Sequence, residues 1–408
     1  MRCGPVLSTI VISFHAVALH AVEPMRFTFG KDATAPDSKR VSPETLYSRE
    51  VGYGFERGGS IEMVKVCESE KPFYFSVALP EGNYRVTFTP GPVPTTVKAE
   101  LRRLMVEGAT GPRSFIVNVR TPRIETGDAV RLKDREKKTE AWNWDEKLTL
   151  EFNGAHPGVA ALEVAPVEVP TLFLLGDSTV CDQPNEPYAS WGQMLPRFFK
   201  PEIAVANHAE SGESLRSSQH AKRLEKVASA LKAGDTVLIQ FGHNDEKEKG
   251  EGVGAFTTYK ASLKEYVAEI REHGGEPVLV TSVHRRTFER DGKMRNSHGD
   301  YPEAVRGVAA EEHVPLIDLL GLSGTLYEAL GPEKSGALFK TGDGTHHNNY
   351  GAYELARCVV EGMRAAKLPV TKFLADDVPK FDPAHPDSPE GLALPASPQS
   401  SDVTPLGN

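Results

Sequence analysis

The chain has 408 residues, more than one ordinary core accommodates and enough for two domains. Hydrophobic residues make up 39% of it, which excludes a largely disordered chain. The net charge of −9 argues against a nucleic-acid binder, which needs excess Lys and Arg to neutralise phosphates, and no apolar run has the length and flanks of a membrane span, so no membrane insertion is expected.

The first residues, MRCGPVLSTIVISFHAVALHAVEP, place Arg2 before an apolar stretch that ends among Ala16, Ala18 and Ala21. That is the layout of a cleavable signal peptide over residues 1–21, cut after Ala18 or Ala21, and it implies a secreted or periplasmic protein. Cleavage removes Cys3 and leaves Cys67, Cys181 and Cys358, a sparse set that fits no zinc pattern and for which no disulfide is expected.

Residues 25–167 read as all-β. FYFSVALPEGNYRVTFTPG gives an apolar run, a Pro-Glu-Gly-Asn turn and alternating Tyr84, Val86 and Phe88, which predicts a hairpin with one buried face. SFIVNVR alternates through Phe115, Val117 and Val119, and KLTLEFNG through Leu148, Leu150 and Phe152. Short strands separated by turn residues predict a sandwich or jelly roll.

The texture changes over residues 170–375. Apolar strands at 171–176, 203–208, 236–242, 277–282 and 314–319 alternate with helical patterns at 215–233, 258–273, 301–312 and 349–366. Strands that are apolar throughout, separated by helices, predict a parallel sheet covered on both faces, in a three-layer αβα domain of flavodoxin-like type. Residues 379–408 are rich in Pro, Ser and Asp and predict a disordered tail.

Ligands bind an open parallel sheet at the carboxyl ends of its strands, so the residues just after each strand carry the chemistry. GDSTV comes after the first strand, NHAESGES after the second, GHND after the third and VHRR after the fourth, and GDGTHHN precedes the last helix. An esterase needs a nucleophile, a base, a group that orients the base, and donors for the oxyanion. Ser178 supplies the hydroxyl, His346 a proton acceptor, and Asp343, three residues earlier, a carboxylate within reach of the imidazole. The backbone N–H groups of Ser178 and Gly212 and the Asn244 amide are the donors expected at the oxyanion. The hydrolase elbow Gly-x-Ser-x-Gly is absent from the sequence.

These four blocks, Gly176-Asp177-Ser178, Gly212, Gly242-His243-Asn244-Asp245 and Asp343-Gly344-Thr345-His346, resemble in content and order those of the SGNH (GDSL-type) hydrolases. GDSTV, SWGQML (190–195), AESGES and DGTHHNNYGA are similar to the rhamnogalacturonan acetylesterase branch. FTFG and GYGFE in the β region resemble the galactose-binding-like module of two-domain members. The resemblance implies a catalytic triad of Ser178, Asp343 and His346, an oxyanion hole of Ser178, Gly212 and Asn244, and no metal or organic cofactor. It further implies a secreted enzyme that deacetylates a plant cell-wall polysaccharide or oligosaccharide, pectin first, through an acyl-enzyme.

Other residues near the strand ends are candidates for substrate contact. His284, Arg285 and Arg286 come directly after the fourth strand, and Arg recognises a galacturonate carboxylate bidentately. Trp191 and His243 are expected to line the pocket. Competing readings are an acetylxylan or other short-chain acyl esterase, of lipase or thioesterase type, on the same scaffold, and a non-catalytic carbohydrate-binding protein. The sequence between the blocks offers no apolar lid for a lipase, and the complete five-residue set argues for catalysis.

Overall fold

A computed structural model describes residues 23–30, 36–56, 61–63 and 66–407; the expected signal peptide lies outside them. Two predominantly antiparallel sheets form the first unit. One runs in the order Arg113–Val119, Gly82–Pro90, Gly158–Pro166, Met25–Phe29, Lys39–Val41. The other runs Tyr53–Phe55, Phe73–Ala78, Lys147–Asn153, Thr95–Ala99, Arg103–Ala109. Alternation along Gly82–Pro90 buries Tyr84, Val86 and Phe88, and these meet Phe75, Val77, Leu148, Leu150 and Phe152 of the opposite sheet in one core.

The hairpin predicted across Leu79–Gly82 does not form. Phe73–Ala78 pairs with Lys147–Asn153 and Tyr53–Phe55, whereas Gly82–Pro90 pairs with Arg113–Val119 and Gly158–Pro166. The turn therefore carries the chain from one sheet to the other, and both strands place their apolar faces into the shared core. Local alternation cannot distinguish these two outcomes, because each strand is half-buried in either.

The second unit holds a five-stranded, all-parallel sheet in the order Ala204–Asn207, Thr171–Gly176, Thr236–Gln240, Glu276–Val280, Leu316–Ile317. Leu172 and Leu174 pack on one face with Trp191, Met194 and the helix Asn349–Ala365, while Phe173 and Leu175 pack on the other with the helix Lys260–Glu272. Each strand is thus apolar on both sides, which accounts for its unbroken apolar sequence. The helix expected over 215–233 is two, Leu215–His220 and Arg223–Ala230, separated at Lys222 by a left-handed φ of 63°. A further helix, Leu319–Lys334, lies in a stretch whose Gly and Pro content hid it.

Residues 379–407, expected to be disordered, hold defined positions. Ser397 donates its N–H to Glu186 at 2.9 Å, and Lys98 donates to Ser397 Oγ and Pro395 O at 2.7 Å. The Glu186 N–H donates to Gln399 O at 2.8 Å, and the Ser401 N–H donates to Glu186 O at 2.9 Å. Hydrogen bonds to buried charged groups anchor this segment, so its shortage of large apolar residues misled the composition argument. Among the described residues no helix is long and apolar enough to cross a membrane.

Candidate active site

The strand order puts Thr171–Gly176 between Ala204–Asn207 and Thr236–Gln240, so connections leave it in opposite directions and a crevice opens at its carboxyl end. Ser178 stands in that crevice. Its approach requires Gly176, where a Cβ would lie 2.6 Å from Val180 Cγ2 and 2.7 Å from Gln240 O. Asp177 then closes the turn, its Oδ1 accepting from Thr179 N at 2.9 Å and Thr179 Oγ1 at 2.8 Å.

Ser178 Oγ lies 3.0 Å from His346 Nε2, and His346 Nδ1 lies 2.9 Å from Asp343 Oδ2. The other Asp343 oxygen accepts from the N–H groups of Thr345 at 2.7 Å and His346 at 3.0 Å. Burial raises the Asp343 carboxyl, but the His346 ring and these two N–H groups outweigh it and lower it to about 2. A carboxylate held ionised this way fixes the neutral imidazole with its proton on Nδ1 and its lone pair on Nε2, facing the serine. Ser178 and His346 are both buried, and Tyr188 stands perpendicular to the His346 ring at 6.0 Å between centroids.

Gly212 and Asn244 meet at the same place. Asn244 Nδ2 donates to Glu213 O at 2.9 Å, which ties the third strand's loop to the Gly212 loop. Gly212 has φ +77°, a conformation that favours glycine. Leu406 and Gly407 of the C-terminal segment lie across this mouth. A Cβ on Gly212 would stand 2.9 Å from Leu406 Cβ, and one on Gly407 would stand 3.0 Å from Ser178 Oγ and 3.2 Å from Asn244 Oδ1. Lys247 Nζ donates to Gly407 O at 2.6 Å. Beside the mouth runs a groove of about 360 Å³, lined by Arg135, Gln183, Asn185, Tyr188, Ser211 and Leu406 among others.

The remaining sequence candidates lie elsewhere. Trp191 is fully buried, with its Nε1 donating to Gln240 Oε1 at 2.8 Å, so it is core beneath the Ser178 loop. His243 is also fully buried, 3.2 Å from Asp177 Oδ2, and burial lowers its pKa to about 4, so it braces the turn from behind. His284 is 7% exposed and packs on Gly324. Arg285 is committed to Glu246 at 2.6 Å, and Arg286 to Ser335 Oγ at 3.0 Å. Arg286 instead holds the loop that carries Asp343 and His346, its backbone N–H donating to Gly344 O at 2.7 Å. These side chains pack against or pair with protein neighbours; position after a strand alone could not reveal those neighbours. Cys181 is buried against Ser211 Oγ, and burial pushes its thiol up to about 12.

Two side chains at the Gly212 loop, Lys133 and Arg135, are not apparent in the sequence as neighbours of the site. Both come from the β unit, and both donate to the carbonyl of Ser211, at 2.7 and 2.6 Å. Their stretch, RLKDREKK, carries the pattern of a solvated charged turn and no signal of a site. Among the described residues no group of three or more His, Cys, Asp or Glu is placed to hold a metal ion.

A model of the GDSL-like lipase/acylhydrolase family matches residues 174–353. The chain is 40% identical over 224 residues to a rhamnogalacturonan acetylesterase, RhgT, of Bacillus subtilis, covering 51% of this chain and 94% of that protein. It is 27% identical over 365 residues to an uncharacterized esterase, YxiM, of the same organism, covering 84% and 92%. The solved structure of the Bacillus subtilis protein YXIM superposes with a TM-score of 0.49 at 25% identity, covering 85% of this chain and 99% of that one.

Proposed function

The chain belongs to the GDSL-like lipase/acylhydrolase family and is an ester hydrolase, and we propose that it removes acetyl groups from plant cell-wall carbohydrate, rhamnogalacturonan first. The hydrogen-bonded series Ser178–His346–Asp343, at 3.0 and 2.9 Å, carries the reading. The 40% identity to an acetylesterase of that name supports the substrate class.

Ser178 Oγ attacks the acetyl carbonyl as His346 Nε2 takes its proton. The tetrahedral oxyanion is held by the N–H groups of Ser178 and Gly212 and by the Asn244 amide. His346 returns the proton to the departing sugar hydroxyl, leaving acetyl on Ser178. Water deprotonated by His346 then releases acetate. Asp343 stays ionised throughout and stabilises the imidazolium. On this reading Leu406 and Gly407 must move aside for substrate, because Gly407 lies against Ser178 Oγ and the Asn244 amide. We also infer export, from the basic and then apolar order of the first 21 residues.

The test is acetate release from acetylated rhamnogalacturonan, acetylated xylan and p-nitrophenyl acetate. Wild type is expected to release acetate fastest, per site, from rhamnogalacturonan, and Ser178→Ala to be slower by about a thousandfold or more on all three. A wild type inert toward every acetyl ester overturns the esterase mechanism; preference for xylan overturns the substrate. Edman or mass analysis of the exported protein checks the processing point.

A further inference from the structure

Gly212 belongs to the parallel-sheet unit, yet the peptide that carries its N–H is gripped from the other unit. The carbonyl oxygen of that peptide is Ser211 O. It accepts from Lys133 Nζ at 2.7 Å and from Arg135 Nη2 at 2.6 Å. Neither cation is free to swing. Lys133 Nζ also lies 2.7 Å from Glu213 Oε1, and Arg135 pairs with Glu210 and lies 3.4 Å from Glu140 Oε1. Glu210 and Glu213 flank the glycine in sequence, and both are buried. The loop is therefore held on each side of Gly212 as well as at the peptide itself.

The Ser211–Gly212 peptide is trans and planar, so its N–H points opposite to its C=O. Two cations that fix the carbonyl thereby aim the Gly212 N–H away from themselves, in a loop that Leu406 of the mouth packs against. Charge on the carbonyl also polarises the amide and strengthens its N–H as a donor. We propose that Lys133 and Arg135 of the β unit are positioning residues for the oxyanion hole, and that the active site is complete only when this unit is docked. The inference rests on Ser178 as nucleophile and Gly212 as oxyanion donor.

An oxyanion donor acts on the tetrahedral state more than on the bound ester, so its misalignment lowers kcat and leaves KM little changed. The experiment measures kcat and KM on p-nitrophenyl acetate and the inhibition constant of a short alkyl boronate, which forms a tetrahedral adduct on serine. The variants are Arg135→Gln, Lys133→Met, their combination, and Arg135→Lys. Arg197→Gln is the control: it breaks another ion pair between the units, Arg197 with Glu107 at 2.5 Å, on residues away from the mouth.

The double variant is expected to lose about tenfold to a hundredfold in kcat, with KM within about twofold and boronate affinity falling in step. Arg135→Lys restores most of kcat, and Arg197→Gln lowers the unfolding temperature without touching kcat. Wild-type kcat in the folded double variant overturns the inference, as does a loss that Arg197→Gln reproduces. If the double variant does not fold, the same criteria apply to the single variants. These ratios are separate from the fate of the reading beneath them: a wild type inert toward acetyl esters overturns both, whereas an active wild type with unchanged variants overturns the inference alone.

Discussion

The interior of the β unit and the seam where it meets the parallel-sheet unit are both buried, and they are built from opposite materials. Inside the sandwich, Phe75 stands within 5.1–5.4 Å, ring to ring, of Phe27, Phe29 and Phe55. At the seam, Arg103 meets Asp182 at 2.6 Å and Arg223 meets Glu136 at 2.7 Å, with all four side chains essentially excluded from water. Apolar packing supplies stability and tolerates rearrangement of side chains of equal volume. A buried ion pair contributes little net stability, because desolvation offsets its attraction, yet it admits one geometry only. Each material is useful in a different place. Asp182 lies four residues after Ser178, and its other oxygen accepts from Asn207, which also holds Val180 O at 2.7 Å. The polar seam is built against the loop whose shape matters most.

Breaking each side separately tests this division. Phe75→Ala removes a fully buried ring and is expected to cost about 3–5 kcal/mol in chemical denaturation, with kcat of the folded fraction unchanged. Arg103→Met leaves Asp182 buried without its cation and is expected to cost about as much, but with a fall in kcat; adding Asp182→Leu is expected to recover much of the stability and none of the kcat. If Phe75→Ala lowers kcat as strongly as the double seam variant, the division of labour is wrong.

Two smaller effects concern the mouth and the Asp343 carboxylate. A chain ended after Ser400 lacks the residues over the mouth, and kcat/KM on p-nitrophenyl acetate is expected to rise severalfold while polymeric ester gains less; unchanged rates on both would show that the segment does not obstruct substrate. The smallest effect concerns acid. Asp343 titrates near 2 in the fold, below its ordinary value of 3.8, so its stabilisation is complete above that value and is lost as pH falls toward 2. The gap in unfolding temperature between wild type and Asp343→Asn is therefore expected to be widest above about pH 5 and to close toward pH 2. A gap that stays constant with pH would deny the carboxylate its hydrogen-bonded role.

The parallel-sheet unit is legible in the sequence because its strands are apolar on both faces and its loops are not. Leu172–Leu175 running into Gly-Asp-Ser can be placed at a strand end without knowing any partner. Asp343 and His346 are close in sequence, so their pairing is local. What escapes depends on distant partners. Trp191 and His243 have residue types suited to a pocket but turn inward, Trp191 donating to Gln240 and His243 packing beside Asp177, both from elsewhere in the chain. The charged turn carrying Lys133 and Arg135 resembles any solvated loop until the Ser211 carbonyl is brought to it. The pairing of Phe73–Ala78 and Gly82–Pro90 is hidden because half-burial has the same period in a hairpin and across a sandwich.

Leu406 and Gly407 at the mouth are tethered to the enzyme they cover. A tethered occupant acts at an effective concentration fixed by the length and stiffness of its anchor, which for short flexible tethers is in the millimolar range. Diluting the enzyme does not weaken it, and removing small molecules from the solution does not clear it. If substrate enters only while the segment is lifted, the measured KM is the intrinsic value divided by the open fraction. A long polysaccharide, with many acetyl groups presented on one chain, has the higher local supply of competitor; a single acetylated sugar does not. The anchor at Ser397 and Gln399 thereby ties the effective KM to the local density of ester.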